Sequence, residues 1–79
     1  MKIHDDANQM LKHIREALMI DPHWTINISG KPDMSTNAQI YINTRYKKGD
    51  MEIKFQNITS SSELFWSIRH EVLHVLISG

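Results

Sequence analysis

Cysteine is absent from the 79 residues of this chain, and this absence limits how the chain can be stabilised. A disulfide framework, a thiolate nucleophile and any zinc or iron–sulfur site with a cysteine ligand are excluded together. The chain must therefore fold around one small hydrophobic core, and a bound metal would need histidine and carboxylate ligands. We expect a single domain over residues 1–79.

The composition is that of an ordered protein without net charge. Hydrophobic residues make up 41% of the chain and charged residues 23%, and nine Lys and Arg residues balance nine Asp and Glu residues. Because no net charge attracts a polyanion, we expect no nucleic-acid partner. No apolar run is long enough to cross a bilayer, and no signal-peptide core follows Met1. We therefore expect a cytoplasmic protein without membrane contact.

The first predicted element is an amphipathic helix over residues 7–19. Its apolar residues recur at the helical period, with polar residues on the opposite side. Asp6 and Gln9 have the spacing of a capping box at the start of this helix. The pair Asp21 and Pro22 ends it, because the residue before proline is steered away from helical angles.

Three segments of alternating apolar and polar residues follow and predict three strands. They cover residues 24–29, 38–45 and 51–56, and alternation of this kind is typical of strands with one buried face. The segment 47–50 contains Gly49 and predicts a turn that pairs the second and third strands antiparallel. We therefore expect a three-stranded, mostly antiparallel sheet.

The last predicted element is a helix over residues 61–78. Ser60 and Glu63 have capping-box spacing at its start, and the apolar residues after them follow the helical period. The predicted order is helix, three strands, helix, which is an αβββα arrangement of the α+β class.

The segment His70-Glu71-Val72-Leu73-His74 on this last helix is the strongest functional motif. Histidines four residues apart lie above one another on a helix, so both imidazoles can reach one metal ion. Glu71 lies about 100° around the helix from His70, which suits a general base beside the metal better than a metal ligand. Zinc lowers the pKa of its bound water to about 7, and a carboxylate there can take the water proton.

The motif also has a purely structural interpretation. The two histidines would then lie at the rim of the core, and Glu71 would face water, since an unpaired buried carboxylate is expensive. The exposure of Glu71 therefore separates the two interpretations.

His70, Glu71 and His74 together resemble the HExxH metal helix of zincin-type zinc metallopeptidases. The order of elements is similar to the upstream half of that fold, and the small size resembles the gluzincins called minigluzincins. The resemblance implies zinc binding by His70 and His74, general-base catalysis by Glu71 and hydrolysis of peptide bonds. It also implies a peptide or protein substrate held extended along a sheet edge, here one arm of the hairpin, with neither arm favoured.

The chain departs from the zincin pattern at the third zinc ligand. A catalytic zinc takes three protein ligands, and zincins supply the third from downstream of the second histidine, where residues 75–79 contain no His, Asp or Glu. One explanation is that the chain is the upstream part of a larger catalytic domain. Another is that His4, His13, His23 or a second copy closes the site, and a third is an inactive relative. We accordingly expect little peptidase activity from these residues alone.

A non-catalytic interaction module is the rival function. Such a protein would bind a partner through its sheet edge or through a dimer interface. Trp24 and Trp66 are predicted to be buried in the core or at its rim. Apolar surface around Val75 and Leu76 is expected to stay uncovered and to favour a homo-oligomer.

Overall fold

The chain forms five regular elements in the predicted αβββα order. The computed structural model describes the backbone of residues 3–78 and the side chains of residues 5–78. Helix α1 (Ile3–Ala17) is followed by strands β1 (Thr25–Gly30), β2 (Ala38–Asn43) and β3 (Lys48–Ile53). A short 3-10 turn (Phe55–Asn57) leads into helix α2 (Ser61–Ser78). The α+β class is confirmed.

The three strands form a mixed sheet in the order β1-β3-β2, with β3 in the centre. Strand β2 pairs antiparallel with β3, as the hairpin pattern predicts, and β1 pairs parallel with β3. The sheet therefore has one antiparallel and one parallel pair, where we expected mostly antiparallel pairing. The apolar residues Met51 and Ile53 of the central strand β3 are fully buried.

The turn of the hairpin lies earlier in the chain than predicted. Residues 44–47 form it, and Lys47 adopts the left-handed conformation with φ 51°. Gly49 is instead a buried residue of β3, opposite Ile42 and Ile26 on the two neighbouring strands. A Cβ atom there would lie 3.2 Å from the Ile40 Cδ1 atom and 3.7 Å from the Val75 Cγ2 atom. The absence of a Cβ at Gly49 therefore makes room chiefly for the Ile40 side chain of the neighbouring strand β2.

Both helices contribute to a core on one face of the sheet, and the opposite face is polar. The core is made of apolar side chains that are at most 8% exposed: Ala7, Leu11, Ile14, Ile20, Trp24, Ile26, Met51, Ile53, Leu64, Ile68, Val72 and Val75. On the polar face, the Gln39 amide donates a 2.7 Å hydrogen bond to Glu52. This two-layer arrangement accounts for the alternation in all three strands.

The two helix starts differ in how well their caps are predicted. Helix α1 begins at Ile3, so Asp6 lies inside its first turn, and the predicted capping box of Asp6 and Gln9 is wrong. Helix α2 has the predicted bounds. The Ser60 hydroxyl accepts a 3.1 Å hydrogen bond from the backbone N–H of Glu63, as the second capping box predicts. The Glu63 carboxylate in turn accepts a 2.7 Å hydrogen bond from the Thr59 hydroxyl.

Several large apolar residues on the helices and loops differ from expectation in their exposure. Trp24 is buried as predicted, but Trp66 is 59% exposed, so its predicted burial is wrong. Of the two residues expected at an uncovered apolar surface, Leu76 is exposed as expected and Val75 is buried, and the neighbouring Ile77 is exposed as well. Helix α2 turns Val75 towards Gly49, and Leu76 and Ile77 form the uncovered apolar surface of its last turn. Within residues 3–78, neither helix is long and apolar enough to cross a membrane.

Candidate metal centre

Helix α2 places Glu71 on its buried face and the two histidines beside that face. The residues buried along this helix are Leu64, Ile68, Glu71, Val72 and Val75. Glu71 is thus the one charged member of a row that otherwise packs on the sheet. His70 and His74 are exposed and lie one helical turn apart at the border of this row.

The three side chains of the motif are close enough to share one ion. The imidazole ring centroids of His70 and His74 are 5.1 Å apart, with the ring planes at 84°. The His70 Nε2 atom lies 3.9 Å from the Glu71 Oε2 atom, and one ligand atom from each of the three residues lies within 4.8 Å of the others. No other group of this kind occurs among the described residues.

The donor set fits zinc. Two nitrogen ligands at about 2.1 Å from a tetrahedral zinc ion are about 3.4 Å apart. The ligand atoms of the group lie within 4.8 Å of one another, so the two imidazoles would have to approach each other by at most about 1.4 Å. The His70 side chain is 70% exposed, which leaves room for this movement. Imidazole and carboxylate donors are also the ligand types that a cysteine-free chain can offer.

The burial of Glu71 differs from what the purely structural interpretation of the motif expects. Its side chain is only 9% exposed, whereas the purely structural interpretation requires it to face water. Within residues 5–78 the carboxylate accepts no hydrogen bond, and the His70 Nε2 atom lies 3.9 Å from its Oε2 atom. No fully buried side-chain oxygen or nitrogen in this part of the chain lacks a partner, so the Glu71 oxygens still reach solvent. Glu71 therefore lies at the floor of an open site.

That site is a groove between helix α2 and strand β2. His70, Glu71 and His74 line one wall, and Ala38, Ile40 and Ile42 belong to the other. Strand β2 is an edge strand, since within the described sheet it pairs only with β3. The prediction left the two hairpin arms equivalent, and the structure places β2 beside the motif and β3 in the middle of the sheet.

The groove continues beyond the histidines towards the start of α2. This second part is lined by Asn37, Ala38, Trp66, Ser67, His70 and Glu71. The sequence does not indicate Trp66 as a groove residue, because tryptophan in a helix with a packed face is more often buried in the core or at its rim. Phe65 is half-buried, and its ring meets the edge of the Trp66 ring at a centroid distance of 5.5 Å.

The upstream histidines with described side chains lie outside the group formed by His70, Glu71 and His74. His13 is exposed on α1, and the His23 ring nitrogen Nδ1 lies 2.8 Å from the Asp21 carboxylate. The side chain of His4 lies outside the described residues. The group formed by His70, Glu71 and His74 therefore receives no third imidazole from residues 5–78.

The Asp21 carboxylate forms a separate polar cluster that the sequence did not indicate. It accepts a 2.9 Å hydrogen bond from the backbone N–H of His23 and another of 2.9 Å from the Lys47 ammonium group. The His23 backbone bond and then the Lys47 bond hold the pKa of the Asp21 carboxyl well below its usual range. The cluster ties the segment after α1 to the hairpin turn.

Comparison of the chain with protein-family models, with curated proteins and with solved structures yields no match. A functional assignment must therefore come from the geometry of the groove.

Proposed function

We propose that this chain carries the zinc site of a cytoplasmic, zincin-like metallopeptidase, in which His70 and His74 bind the metal and Glu71 is the general base. The observation that supports this proposal best is the position of Glu71. A carboxylate is held at the floor of a groove, beside two imidazoles that can share an ion. Burial of a charge without a hydrogen bond is costly, so a functional reason is needed for it.

Each group of the groove has a defined task in this proposal. Zinc, when bound, activates water and polarises the carbonyl group of the scissile bond. The Glu71 carboxylate takes the proton of the attacking water and delivers it to the leaving nitrogen. Its position at the groove floor lets the carboxylate contact water in the groove while its stem packs in the core. The free edge of β2 binds the backbone of an extended peptide and holds it above Glu71.

The number of ligands determines what the zinc content of the protein should be. A catalytic zinc takes three protein ligands, and residues 5–78 offer two imidazoles besides Glu71. His4 or a histidine of a second copy would complete a site with one zinc per chain. Two copies sharing one ion through four imidazoles would instead hold one zinc per two chains.

The first experiment is elemental analysis of protein purified without a polyhistidine tag. We expect about one zinc per chain in the wild type, loss of zinc in His74→Ala and retention in Glu71→Gln. His23→Ala is the matched control, because His23 is exposed and lies outside the group. The proposed site would be overturned if the wild type contained no zinc. It would also be overturned if zinc were lost in His23→Ala but kept in His74→Ala.

The second experiment tests the chemistry with an unstructured protein substrate at saturating zinc. Any cleavage, even slow, should fall by about 10²-fold or more in Glu71→Gln, since general-base catalysis commonly contributes that much. Glu63→Gln is the control, because Glu63 belongs to the same helix but caps its start. Cleavage that is unchanged in Glu71→Gln would refute the role of Glu71.

An interaction module is the second candidate, and it is favoured by the free edge of β2. An unpaired edge strand can add a strand from a partner without any chemistry. If the protein binds zinc but shows no cleavage that depends on Glu71, an interaction module would be favoured over peptide hydrolysis.

A further inference from the structure

Trp66 is an exposed aromatic residue at one end of the groove. Its side chain is 59% exposed, and it lines the part of the groove next to His70 and Glu71. The other tryptophan, Trp24, is 6% exposed in the core. Indole is costly to leave in water, and exposed tryptophan is enriched where proteins bind ligands and partners.

The groove has a direction that relates Trp66 to the metal-binding histidines. Near the start of α2, Trp66 and Ser67 face Asn37 and Ala38, and Ser78 at its end shares the groove with Ile42. Helix α2 and strand β2 therefore run side by side in the same direction. Along the helix axis, Trp66 lies about 9 Å before the midpoint between His70 and His74, at 1.5 Å per residue.

An extended peptide lying along β2 would bring one of its side chains to Trp66. A strand advances about 3.3 Å per residue, so 9 Å corresponds to two or three residues. With the reacting bond above the histidines, a side chain two or three residues away would lie over the indole ring. Every second side chain of that peptide would point into the groove.

The neighbours of Trp66 define which side chain fits. The Arg69 guanidinium lies 5.3 Å from the indole ring centroid, and the Phe65 ring packs edge-on against the indole. These contacts hold the indole in place, which lowers the entropy cost of binding. Among residues 5–78 Arg69 has no acidic partner, so its charge would repel a lysine or arginine of the peptide. An aromatic or large aliphatic side chain can cover the indole without that penalty.

We propose that Trp66 is a specificity-determining residue, which selects a peptide with an aromatic or large aliphatic side chain two or three residues from the reacting bond. This inference rests on the proposed function, because the position of the reacting bond is set by His70 and His74. It adds a substrate class to that function: extended peptides in which the residue that reaches Trp66 has a bulky apolar side chain and is not lysine or arginine.

The test measures binding, so it does not require turnover. The protein is Glu71→Gln with saturating zinc, which should bind peptides without cleaving them. The probes are blocked, extended peptides of about eight residues made of Thr, Ser and Val, with one Phe moved through each position. Binding is followed by NMR through the two indole N–H signals, and the buried Trp24 signal serves as an internal reference.

We expect Phe at one position to tighten binding about tenfold over Ala at that position, the gain typical of an added aromatic contact. The Trp66 signal should shift and the Trp24 signal should stay in place. Trp66→Ala should remove the preference, Trp66→Phe should keep most of it, and Tyr46→Ala should leave it unchanged. Tyr46 is a suitable control because it is 70% exposed and lies in the hairpin turn.

Four results would overturn the inference. The first is equal binding of all peptides, and the second is a Phe preference that persists in Trp66→Ala. The third is a stronger preference for Glu than for Phe at that position, which would assign recognition to the Arg69 charge instead. The fourth is no peptide binding at all. The zinc content and the dependence of cleavage on Glu71 are measured separately, so failure of this inference is distinguishable from failure of the proposed function.

Discussion

Replacement of Glu71 by glutamine should make the metal-free protein more stable. The Glu71 side chain is 9% exposed, accepts no hydrogen bond within residues 5–78 and lies 3.9 Å from the His70 ring nitrogen. Complete burial of an ion costs several kcal/mol, but the Glu71 oxygens reach solvent at the groove floor, so the cost is smaller here. Glutamine has nearly the same shape without the charge. We expect a gain of about 1 kcal/mol in the free energy of unfolding.

The measurement is urea unfolding in the presence of a metal chelator at pH 7. A gain of about 1 kcal/mol should raise the urea midpoint by about 1 M for a chain this small. The melting temperature should rise by about 4–8 °C. The same substitution at Glu63 is the matched control, because Glu63 caps the start of the same helix through a 2.7 Å hydrogen bond from the Thr59 hydroxyl. Glu63→Gln should lower stability by about 0.5–1.5 kcal/mol.

The two variants should therefore shift stability in opposite directions. If Glu71→Gln lost as much stability as Glu63→Gln, the Glu71 carboxylate would carry a stabilising interaction of its own. Its burial would then have a structural explanation, and the main support for a functional site would be lost.

Two further predictions concern the core and the response to acid. Ile68 is fully buried on the inner side of α2, so Ile68→Ala should cost about 2–5 kcal/mol in urea unfolding. A cost no larger than that of Ile77→Ala, at an 82% exposed site, would contradict the packing. The pKa of the Asp21 carboxyl is held low in the folded chain by the His23 backbone N–H and by Lys47, so its contribution to stability is present above about pH 4 and is lost on acidification. Asp21→Asn should therefore be less stable than wild type at pH 7, and the difference between their urea midpoints should shrink below about pH 4. If the difference between the two midpoints widened on acidification, this account would be refuted.

The elements were predictable from the sequence where local patterns determine them. The bounds of α2 followed from the Ser60 and Glu63 cap and from the apolar period after it. The hairpin of β2 and β3 followed from two alternating segments joined by a short connection. The alternation of apolar and polar residues indicates which face of a strand is buried, but it does not indicate which other strand pairs with that strand. The parallel pairing of β1 with β3 was therefore beyond local reasoning.

The predicted position of the hairpin turn is wrong because the prediction rests on the frequency of glycine in turns. Gly49 instead lies in the buried strand β3, where a Cβ atom would lie 3.2 Å from the Ile40 Cδ1 atom. The left-handed turn residue is Lys47, a type that rarely adopts this conformation. Propensity favours glycine in the turn, whereas the chain uses it at a tightly packed position of the strand.

The sequence was enough to predict the spacing of the three residues of the candidate site, but not the burial and the groove around them. Helical periodicity was enough to bring His70 and His74 to one face. The burial of Glu71 depends on how α2 rotates against the sheet, and the groove depends on β2 being an edge strand. The exposure of Trp66 also depends on how α2 rotates against the sheet. Trp66 is exposed although Phe65, the residue before it, is half-buried.

The identity of residue 71 is itself an argument for function. Position 71 lies in the row of α2 that includes Ile68, Val72 and Val75, where an apolar side chain would improve packing and avoid the cost of a buried charge. A chain of 79 residues has a small core and little stability to lose. Proteins tolerate such a local violation of the packing pattern mainly at functional sites, where activity requires it. The charge at Glu71, rather than the presence of two nearby histidines, is therefore the feature of this chain that most favours a catalytic site.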